Sequence, residues 1–209
     1  DSYWAAYKEA NSLYCKVVVA HAAPDATIWA HDYHLLLLPE MIRQKLPNSK
    51  LGLFLHIPFP SFELFRYLPN REAILRGMLG ADLIGFHIYD YAQYFLGSVR
   101  RVLGHESAGS VIALPDRAVM VDTFPIGIDY KKFSKVARSK EVSQQIKVLD
   151  ERYKDQKIIL SVDRLDYTKG IPQRLQAYDA FLKKYPKWHQ KISLVMVAVP
   201  SRTEVESYK

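Results

Sequence analysis

The segment from Ile158 to Gly170 has the sequence IILSVDRLDYTKG, and it indicates how this part of the chain folds. Its first residues form an apolar run that is typical of a buried strand. After Gly170, apolar residues recur at helical spacing as far as Tyr185. A strand that leads through a short turn into a helix is the building unit of α/β proteins with parallel sheets. The segment therefore predicts an α/β fold.

The turn between this strand and this helix carries two cations, Arg164 and Lys169. The first N–H groups of a helix lack intrahelical partners, and the helix dipole favours negative charge at that end. Arg164 would add a bidentate fork and Lys169 a mobile point charge, which together suit a diphosphate better than a carboxylate. The alternative is that both cations are solvated or form salt bridges with Asp163 and Asp166. Spacing alone leaves both interpretations open.

The composition is that of an ordinary globular protein of 209 residues, 49% of them hydrophobic and 24% charged. A formal net charge of +7 allows an anionic ligand. The basic residues are spread out rather than interleaved with aromatic residues, so we expect no nucleic-acid partner. The single cysteine, Cys15, excludes an internal disulfide and fits a reducing cytosol. No apolar run reaches the length of a membrane span, so we expect a cytoplasmic protein without membrane contact.

Strand and helix signals alternate along the chain. The predicted strands cover residues 27–29, 50–55, 83–86, 111–114, 119–124, 157–162 and 192–198. The predicted helices cover residues 35–46, 71–79, 89–103 and 171–185, and another opens after Ser201. The run from Cys15 to Ala20 fits a helix and a strand equally well. Residues 131–156 are charged with few apolar positions, and we interpret them as an exposed helix or a connection between two domains.

Two polar groups follow predicted strands in the first part of the chain. Asp32 lies between His31 and His34, and His56 follows the apolar run that ends at Leu55. In open parallel sheets ligands bind beyond the carboxyl ends of the strands, so Asp32 is a candidate carboxylate for sugar hydroxyls. Two alternatives stay open, namely that Asp32 only caps the following helix and that the histidines bind a metal ion. A lone histidine such as His56 is more often a structural residue.

Several enzyme classes lack their signatures in this sequence. No Gly-x-Gly-x-x-Gly follows a strand, and there is no phosphate loop of the Gly-x-x-x-x-Gly-Lys-Ser/Thr type. Ser98 and Ser107 have no His or Asp partner at a recognisable spacing, so nucleophilic hydrolase chemistry has little support. An anion site without these signatures leaves nucleotide-sugar chemistry open.

Five blocks of the sequence together resemble the trehalose-6-phosphate synthases. They are WAHDYHLL at residues 29–36, LHIPFP at 55–60, FPIGID at 124–129, SVDRLDYTKG at 161–170 and VPSR at 199–202. Their order and spacing are similar to that family, and they extend over almost the whole chain. The resemblance implies the middle part of a glycosyltransferase of the GT-B type. That architecture has two Rossmann-like domains with mostly parallel sheets, which face each other across a cleft.

The resemblance also implies a division of labour between two domains. Residues 1–133 would belong to the N-terminal domain, which binds the acceptor glucose 6-phosphate. Residues 134–209 would contain the linker and the start of the C-terminal domain, which binds the nucleotide-sugar donor. Such enzymes transfer glucose from UDP-glucose to glucose 6-phosphate, with retention at the anomeric carbon and without a metal ion or other cofactor. The products are trehalose 6-phosphate and UDP.

By this resemblance Arg164 and Lys169 would hold the donor diphosphate, and His56 would contact the donor glucose. Asp32 would bind and position the acceptor sugar. These are the predicted catalytic residues, and fixed cations at the leaving diphosphate would stabilise the charge that develops in the transition state. The further predicted acceptor contacts are Tyr33, His34 and Arg202.

The implied partners are the small molecules UDP-glucose and glucose 6-phosphate, a second copy of the chain in a homo-oligomer, and a fused or associated trehalose-phosphate phosphatase. Because the family's N-terminal glycine-bearing loop and its acidic donor loop are not among these residues, we expect the 209 residues alone to have negligible synthase activity. One alternative is a transferase similar to glucosylglycerol-phosphate synthase that uses ADP-glucose. Another is a non-catalytic regulatory subunit of a trehalose synthase complex, against which the presence of the predicted site residues argues.

Overall fold

The computed structural model describes residues 2–23 and 25–200 and divides the chain into two compact units. The first unit ends at Gly127 and the second begins at Ile128. Each unit has its own sheet, and most neighbouring strands are parallel. The predicted α/β class with mostly parallel sheets is therefore confirmed. The assignment of residues 1–133 and 134–209 to an acceptor and a donor domain stays a prediction.

The first unit is built around a six-stranded sheet. Its strands are β1 (Thr27–His31), β2 (Lys50–Phe54), β3 (Leu83–Phe86), β4 (Ser107–Ala108), β5 (Val111–Ala113) and β6 (Ala118–Thr123). Their spatial order is β1-β2-β3-β6-β5-β4, with parallel pairing from β1 to β6 and antiparallel pairing of β5 with both β6 and β4. The predicted strands are present with ends shifted by a residue or two. Strand β4 was not predicted, because two residues carry no periodicity.

The described helices of the first unit are α1 (Ser2–His21), α2 (Leu38–Lys45), α3 (Phe62–Phe65), α4 (Arg71–Met78) and α5 (Tyr89–Leu103). The ambiguous run at 15–20 is thus helical. The predicted helix at 35–46 is wrong at its start, because Tyr33–Leu35 forms a separate 3-10 turn and α2 begins only at Leu38. Pro39 favours this start, because proline has no backbone N–H and the N–H groups of the first turn have no intrahelical partner. In the described part of the chain, no helix combines the length and the apolar character needed to cross a membrane.

One face of the first sheet is packed and the other is partly open. Alternate strand side chains such as Leu53, Ile84 and Val121 are almost completely buried, together with helix residues that include Ile42 and Phe95. Burying each such side chain stabilises the fold by about 1.5–3 kcal/mol. The opposite face of the sheet leaves Trp29 63% exposed and Met120 49% exposed.

The second unit contains a parallel strand–helix–strand element. The described helices and strands of this unit are α6 (Tyr130–Ala137), α7 (Lys140–Arg152), β7 (Lys157–Arg164), α8 (Ile171–Lys184) and β8 (Ile192–Val199). The element itself consists of β7, α8 and β8. The charged stretch 131–156 is therefore two exposed helices, the second of which begins where the Ser139 hydroxyl accepts a hydrogen bond from the Val142 N–H. The helix predicted after Ser201 lies outside the described residues.

Candidate active site

The carboxyl edge of the first sheet brings three histidines together. His31 is the last residue of β1, His56 comes two residues after β2, and His87 comes directly after β3. These strands are parallel neighbours, so their carboxyl ends meet at one edge of the sheet, where ligands bind in such folds. Sequence reasoning missed His87. Its position straight after a strand is the same signal that pointed to His56.

The rings of His31 and His56 are directly linked. His31 Nδ1 lies 3.0 Å from His56 Nε2, so one nitrogen donates its proton and the other accepts it. The His56 and His87 rings are 5.7 Å apart between centroids, and Phe54 packs against both at 4.9 Å. Within residues 2–23 and 25–200, no set of three His, Cys, Asp or Glu side chains is placed to hold a metal ion.

Asp32 adopts an unusual backbone conformation beside this pair. Its φ of 67° and ψ of 174° fall in a region that is essentially reserved for glycine and costs about 1–3 kcal/mol. The alternative that its side chain caps the following turn is wrong, because it makes no capping hydrogen bond. Instead, Asp32 Oδ1 accepts a hydrogen bond from the His56 N–H at 3.3 Å. The structure thus joins Asp32 and His56, two of the predicted site residues.

The other predicted acceptor contacts differ in how they are placed. The rings of Tyr33 and His34 stack on each other with centroids 3.9 Å apart, and both residues are exposed. They follow Asp32 in the chain, so they lie beside the carboxyl edge of β1. Arg202 lies outside the described residues.

A cavity of about 470 Å³ opens on the partly open face of the sheet. Its lining is mostly aromatic and apolar and includes Trp29, Phe54, Phe124, His31 and His56. Two glycines among the lining residues keep this space: a Cβ on Gly85 would lie 2.6 Å from Phe54 Cδ2, and one on Gly52 would lie 3.2 Å from Trp29 Cδ1. Apolar walls with a few placed polar groups are typical of small-molecule sites. Of the predicted site residues, His56 lines this cavity, whereas Asp32 lies beside it.

The two predicted cations lie at the carboxyl end of β7. Arg164 is the last residue of the strand rather than part of the turn, because its backbone still pairs with Val199 of β8. Lys169 ends a short 3-10 turn, and Gly170 takes the left-handed conformation with a φ of 62° immediately before α8. The N-terminus of α8 carries no side-chain cap, so its first N–H groups are directed at this region, apart from Pro172, which has none.

Sequence reasoning missed Arg174, which organises this turn. Its guanidinium donates to Asp163 Oδ2 at 2.7 Å, to the Ser161 hydroxyl, and to the Lys169 carbonyl at 3.1 Å. The helical spacing that places Arg174 one turn into α8, above the end of β7, is the signal that would have found it. Asp163 is thus occupied by Arg174, and the alternative that it neutralises Arg164 or Lys169 is wrong.

The other acidic residue of the turn makes local bonds. Asp166 Oδ1 accepts hydrogen bonds from the Thr168 N–H at 2.9 Å and from its hydroxyl at 2.8 Å. For the residues that the structure describes, no ion pair involves Arg164 or Lys169. Both side chains are exposed, so this turn presents two cations next to a helix N-terminus.

Comparison with known proteins agrees with these features. The family model described as "Glycosyltransferase family 20" matches residues 1–209. The alpha,alpha-trehalose-phosphate synthase [UDP-forming] A of Dictyostelium discoideum is 48% identical over 209 residues, which are 100% of this chain and 28% of that protein. An E. coli structure bound with UDP-2-fluoro glucose matches 98% of this chain and 46% of its own, with a TM-score of 0.81 and 34% identity.

A third relative carries a different activity in its name. The N-terminal domain of a trehalose-6-phosphate phosphatase from Candida albicans matches 96% of this chain and 43% of its own, with a TM-score of 0.81 and 39% identity. The chain therefore spans less than half the length of each of these relatives. The match to solved structures of the synthases confirms the predicted GT-B type of fold. The resemblance inferred from the five sequence blocks is confirmed as well, and the chain belongs to glycosyltransferase family 20.

Proposed function

We propose that the protein is a retaining glucosyltransferase that transfers glucose from UDP-glucose to glucose 6-phosphate, and that this chain is the central part of it. The observation that carries the proposal is the turn after β7, where two exposed cations adjoin the N-terminus of α8. The names of the relatives support it, because a UDP-forming synthesis of trehalose phosphate requires a UDP-glucose donor and a glucose phosphate acceptor.

In this proposal Arg164 and Lys169 hold the diphosphate of the donor without a metal ion or other cofactor. Breaking the bond between the anomeric carbon and the phosphate oxygen leaves negative charge on the diphosphate. Fixed cations at that oxygen stabilise the charge as it develops, which is commonly the largest catalytic contribution. Arg174 holds the turn in shape through Asp163 and thereby keeps the two cations available.

Retention follows if the acceptor attacks from the face that the diphosphate leaves. The acceptor hydroxyl oxygen bonds to the anomeric carbon, and its proton passes to the departing phosphate oxygen, so no carboxylate nucleophile is needed. His56 contacts the donor glucose at the cavity. Asp32 binds an acceptor hydroxyl, and Tyr33, His34 and Arg202 complete the acceptor contacts. Correct placement of two bound sugars is by itself a large rate factor.

The proposal extends to the setting of the complete enzyme. We place it in the cytoplasm as a homo-oligomer, fused to or associated with a trehalose-phosphate phosphatase. The 209 residues alone are proposed to lack synthase activity.

The Candida albicans relative favours a second candidate, a non-catalytic domain of this fold that accompanies a phosphatase. This candidate requires that the complete protein bind sugar phosphates or partner chains without turnover. A related transferase that uses ADP-glucose is the third. Assays of the complete protein with UDP-glucose and with ADP-glucose, each with glucose 6-phosphate and with glycerol 3-phosphate as acceptor, separate the three.

The decisive test is substitution of the two cations in the complete protein that contains these residues. Arg164→Ala and Lys169→Ala should each lower kcat/KM by at least about 30-fold, corresponding to about 2 kcal/mol of transition-state stabilisation. Lys187→Ala, which removes an exposed cation of the same unit, is the matched control and should leave kcat/KM unchanged. Unchanged turnover in both site variants would show that this turn is a solvated surface loop and does not hold the donor diphosphate.

A further inference from the structure

Helix α1 reaches across to the segment that follows Asp32. The Tyr7 hydroxyl donates a hydrogen bond to the Tyr33 carbonyl at 2.7 Å and accepts one from the Leu36 N–H at 3.0 Å. One turn further along α1, Asn11 Nδ2 donates to the His34 carbonyl at 3.0 Å. We call the side chains of Tyr7 and Asn11 the α1 clasp.

The clasp is a built feature of the interior rather than a surface contact. Asn11 has no exposed surface, and Tyr7 is partly buried, so burial raises the pKa of its phenol and keeps it protonated as a donor. Asn11 Oδ1 is buried without a hydrogen-bond partner among the described residues, a placement that disfavours folding. An apolar residue would pack there without that penalty. The hydrogen bond from Asn11 Nδ2 to the His34 carbonyl therefore explains why an amide side chain occupies this buried position.

Within the segment itself, the Leu35 N–H donates a hydrogen bond to the Asp32 carbonyl at 3.2 Å, and the α1 clasp adds support to this short turn. The 3-10 turn Tyr33–Leu35 has only three residues, and Asp32 precedes it in a backbone conformation that non-glycine residues rarely adopt. Strained residues persist only where neighbouring contacts over-determine them. On one side Asp32 is tied to β2, since its N–H donates to the Phe54 carbonyl at 2.8 Å. On the other side, the three bonds of the clasp end on the backbone of Tyr33, His34 and Leu36.

We propose that Tyr7 and Asn11 are positioning residues, which hold the Asp32 carboxylate in the orientation that the acceptor sugar requires. This inference rests on the proposed role of Asp32 in binding the acceptor. The clasp contacts backbone atoms and acts through Asp32, so neither of its residues touches a substrate. Its loss lets Asp32 relax to an ordinary backbone conformation, which turns the carboxylate away from the acceptor. Arg164 and Lys169, which hold the donor diphosphate in the proposed function, lie on β7 and the turn after it and keep their positions.

The test is Tyr7→Phe in the complete protein, which removes one oxygen and keeps the ring. We expect the KM for glucose 6-phosphate to rise about tenfold, as for the loss of one hydrogen bond between the Asp32 carboxylate and the acceptor, while the KM for UDP-glucose stays within about twofold. A merely structural role lowers the active fraction and leaves both KM values unchanged. Tyr14→Phe is the matched control, since Tyr14 lies on the same helix and is 56% exposed, and it should change neither value.

Asn11→Leu is the second variant and keeps the test valid if Tyr7→Phe fails to fold. Leucine fills the site and removes the unpartnered Oδ1, but it releases the His34 carbonyl, so the same selective rise in acceptor KM is expected. Asp32→Ala separates the two proposals. If Asp32→Ala raises the acceptor KM and both clasp variants leave it unchanged, the clasp has no positioning role. If the wild-type protein shows no glucosyl transfer, the proposed function itself is overturned.

Discussion

The basic turn after β7 and the edge that follows β1 are both predicted to bind substrate, but they are held in opposite ways. The turn is fixed by local contacts: Arg174 bonds to residues 5, 11 and 13 positions away. The segment after β1 is fixed by bonds to residues 23, 26 and 29 positions away on α1. The motif from Ser161 to Gly170, together with Arg174 in the first turn of α8, thus contains most of the support of the first site and none of the α1 contacts that support the second.

This contrast predicts different consequences of mutation. A change within the motif should damage the basic turn directly, whereas the Asp32 segment should be sensitive to changes in distant helices. Additivity offers a check, since residues that share hydrogen-bond partners couple and distant ones do not. The following predictions, all for the complete protein, test whether the difference in support is real.

The largest effect is expected at Gly77 on α4, which packs against the residues just after the clasped segment. A Cβ there would lie 2.5 Å from the Leu36 carbonyl oxygen and 2.7 Å from Leu37 Cα, so backbone must move. Gly77→Ala should lower the free energy of unfolding by about 1–3 kcal/mol, as overpacking does. Urea denaturation measures the loss, and a rise in the KM for glucose 6-phosphate would show that the shift reaches Asp32.

Gly97→Ala is the control for this prediction. Gly97 lies within α5, and a Cβ there meets nothing within 4 Å. Because alanine favours helices over glycine, this variant should be neutral or more stable by up to about 1 kcal/mol. If Gly77→Ala and Gly97→Ala are equally stable, the segment after Asp32 shifts at little energetic cost, and α4 does not hold it rigidly.

A somewhat smaller effect is expected for Arg174→Ala. The variant leaves the partly buried Asp163 without its partner and should cost about 1–2 kcal/mol of stability, with a raised KM for UDP-glucose. Lys183→Ala removes an ion pair of the same 2.7 Å length whose two side chains are exposed. It should cost less than about 0.5 kcal/mol. A similar loss in both variants, measured by urea denaturation, would mean that Arg174 is an ordinary surface residue.

The smallest effect is the pH dependence of the Tyr7 contribution. Because burial raises the pKa of this phenol in the folded state, its contribution to stability is complete below the ordinary tyrosine pKa near 10 and is lost as the pH rises through the folded-state value. The stability difference between wild type and Tyr7→Phe should therefore be constant at neutral pH and shrink above about pH 10. Urea denaturation at neutral pH and above about pH 10 measures this stability difference. A difference that is independent of pH up to unfolding would mean that Tyr7 keeps its hydrogen bonds when ionised.

Much of the fold was predictable because strands and helices follow from patterns of neighbouring residues. The strand–turn–helix around Arg164 was predicted correctly, apart from the end of β7. Helix α2 was placed too early because the apolar run from Leu35 to Leu38 hides the change from a 3-10 turn to an α-helix. His87 was missed although it follows a strand as His56 does, because it stands in no recognisable motif.

The sequence by itself determined the family, the order of the elements and the two cations at the end of β7, because each depends on residues close together in the chain. Only the tertiary structure decided that His31 and His56 share a hydrogen bond, that Asp32 is strained rather than a helix cap, and that α1 holds the residues after it. The reason is physical. The clasp bonds end on backbone carbonyl and N–H groups, which nearly every residue carries, so no side-chain pattern marks where a distant donor will attach.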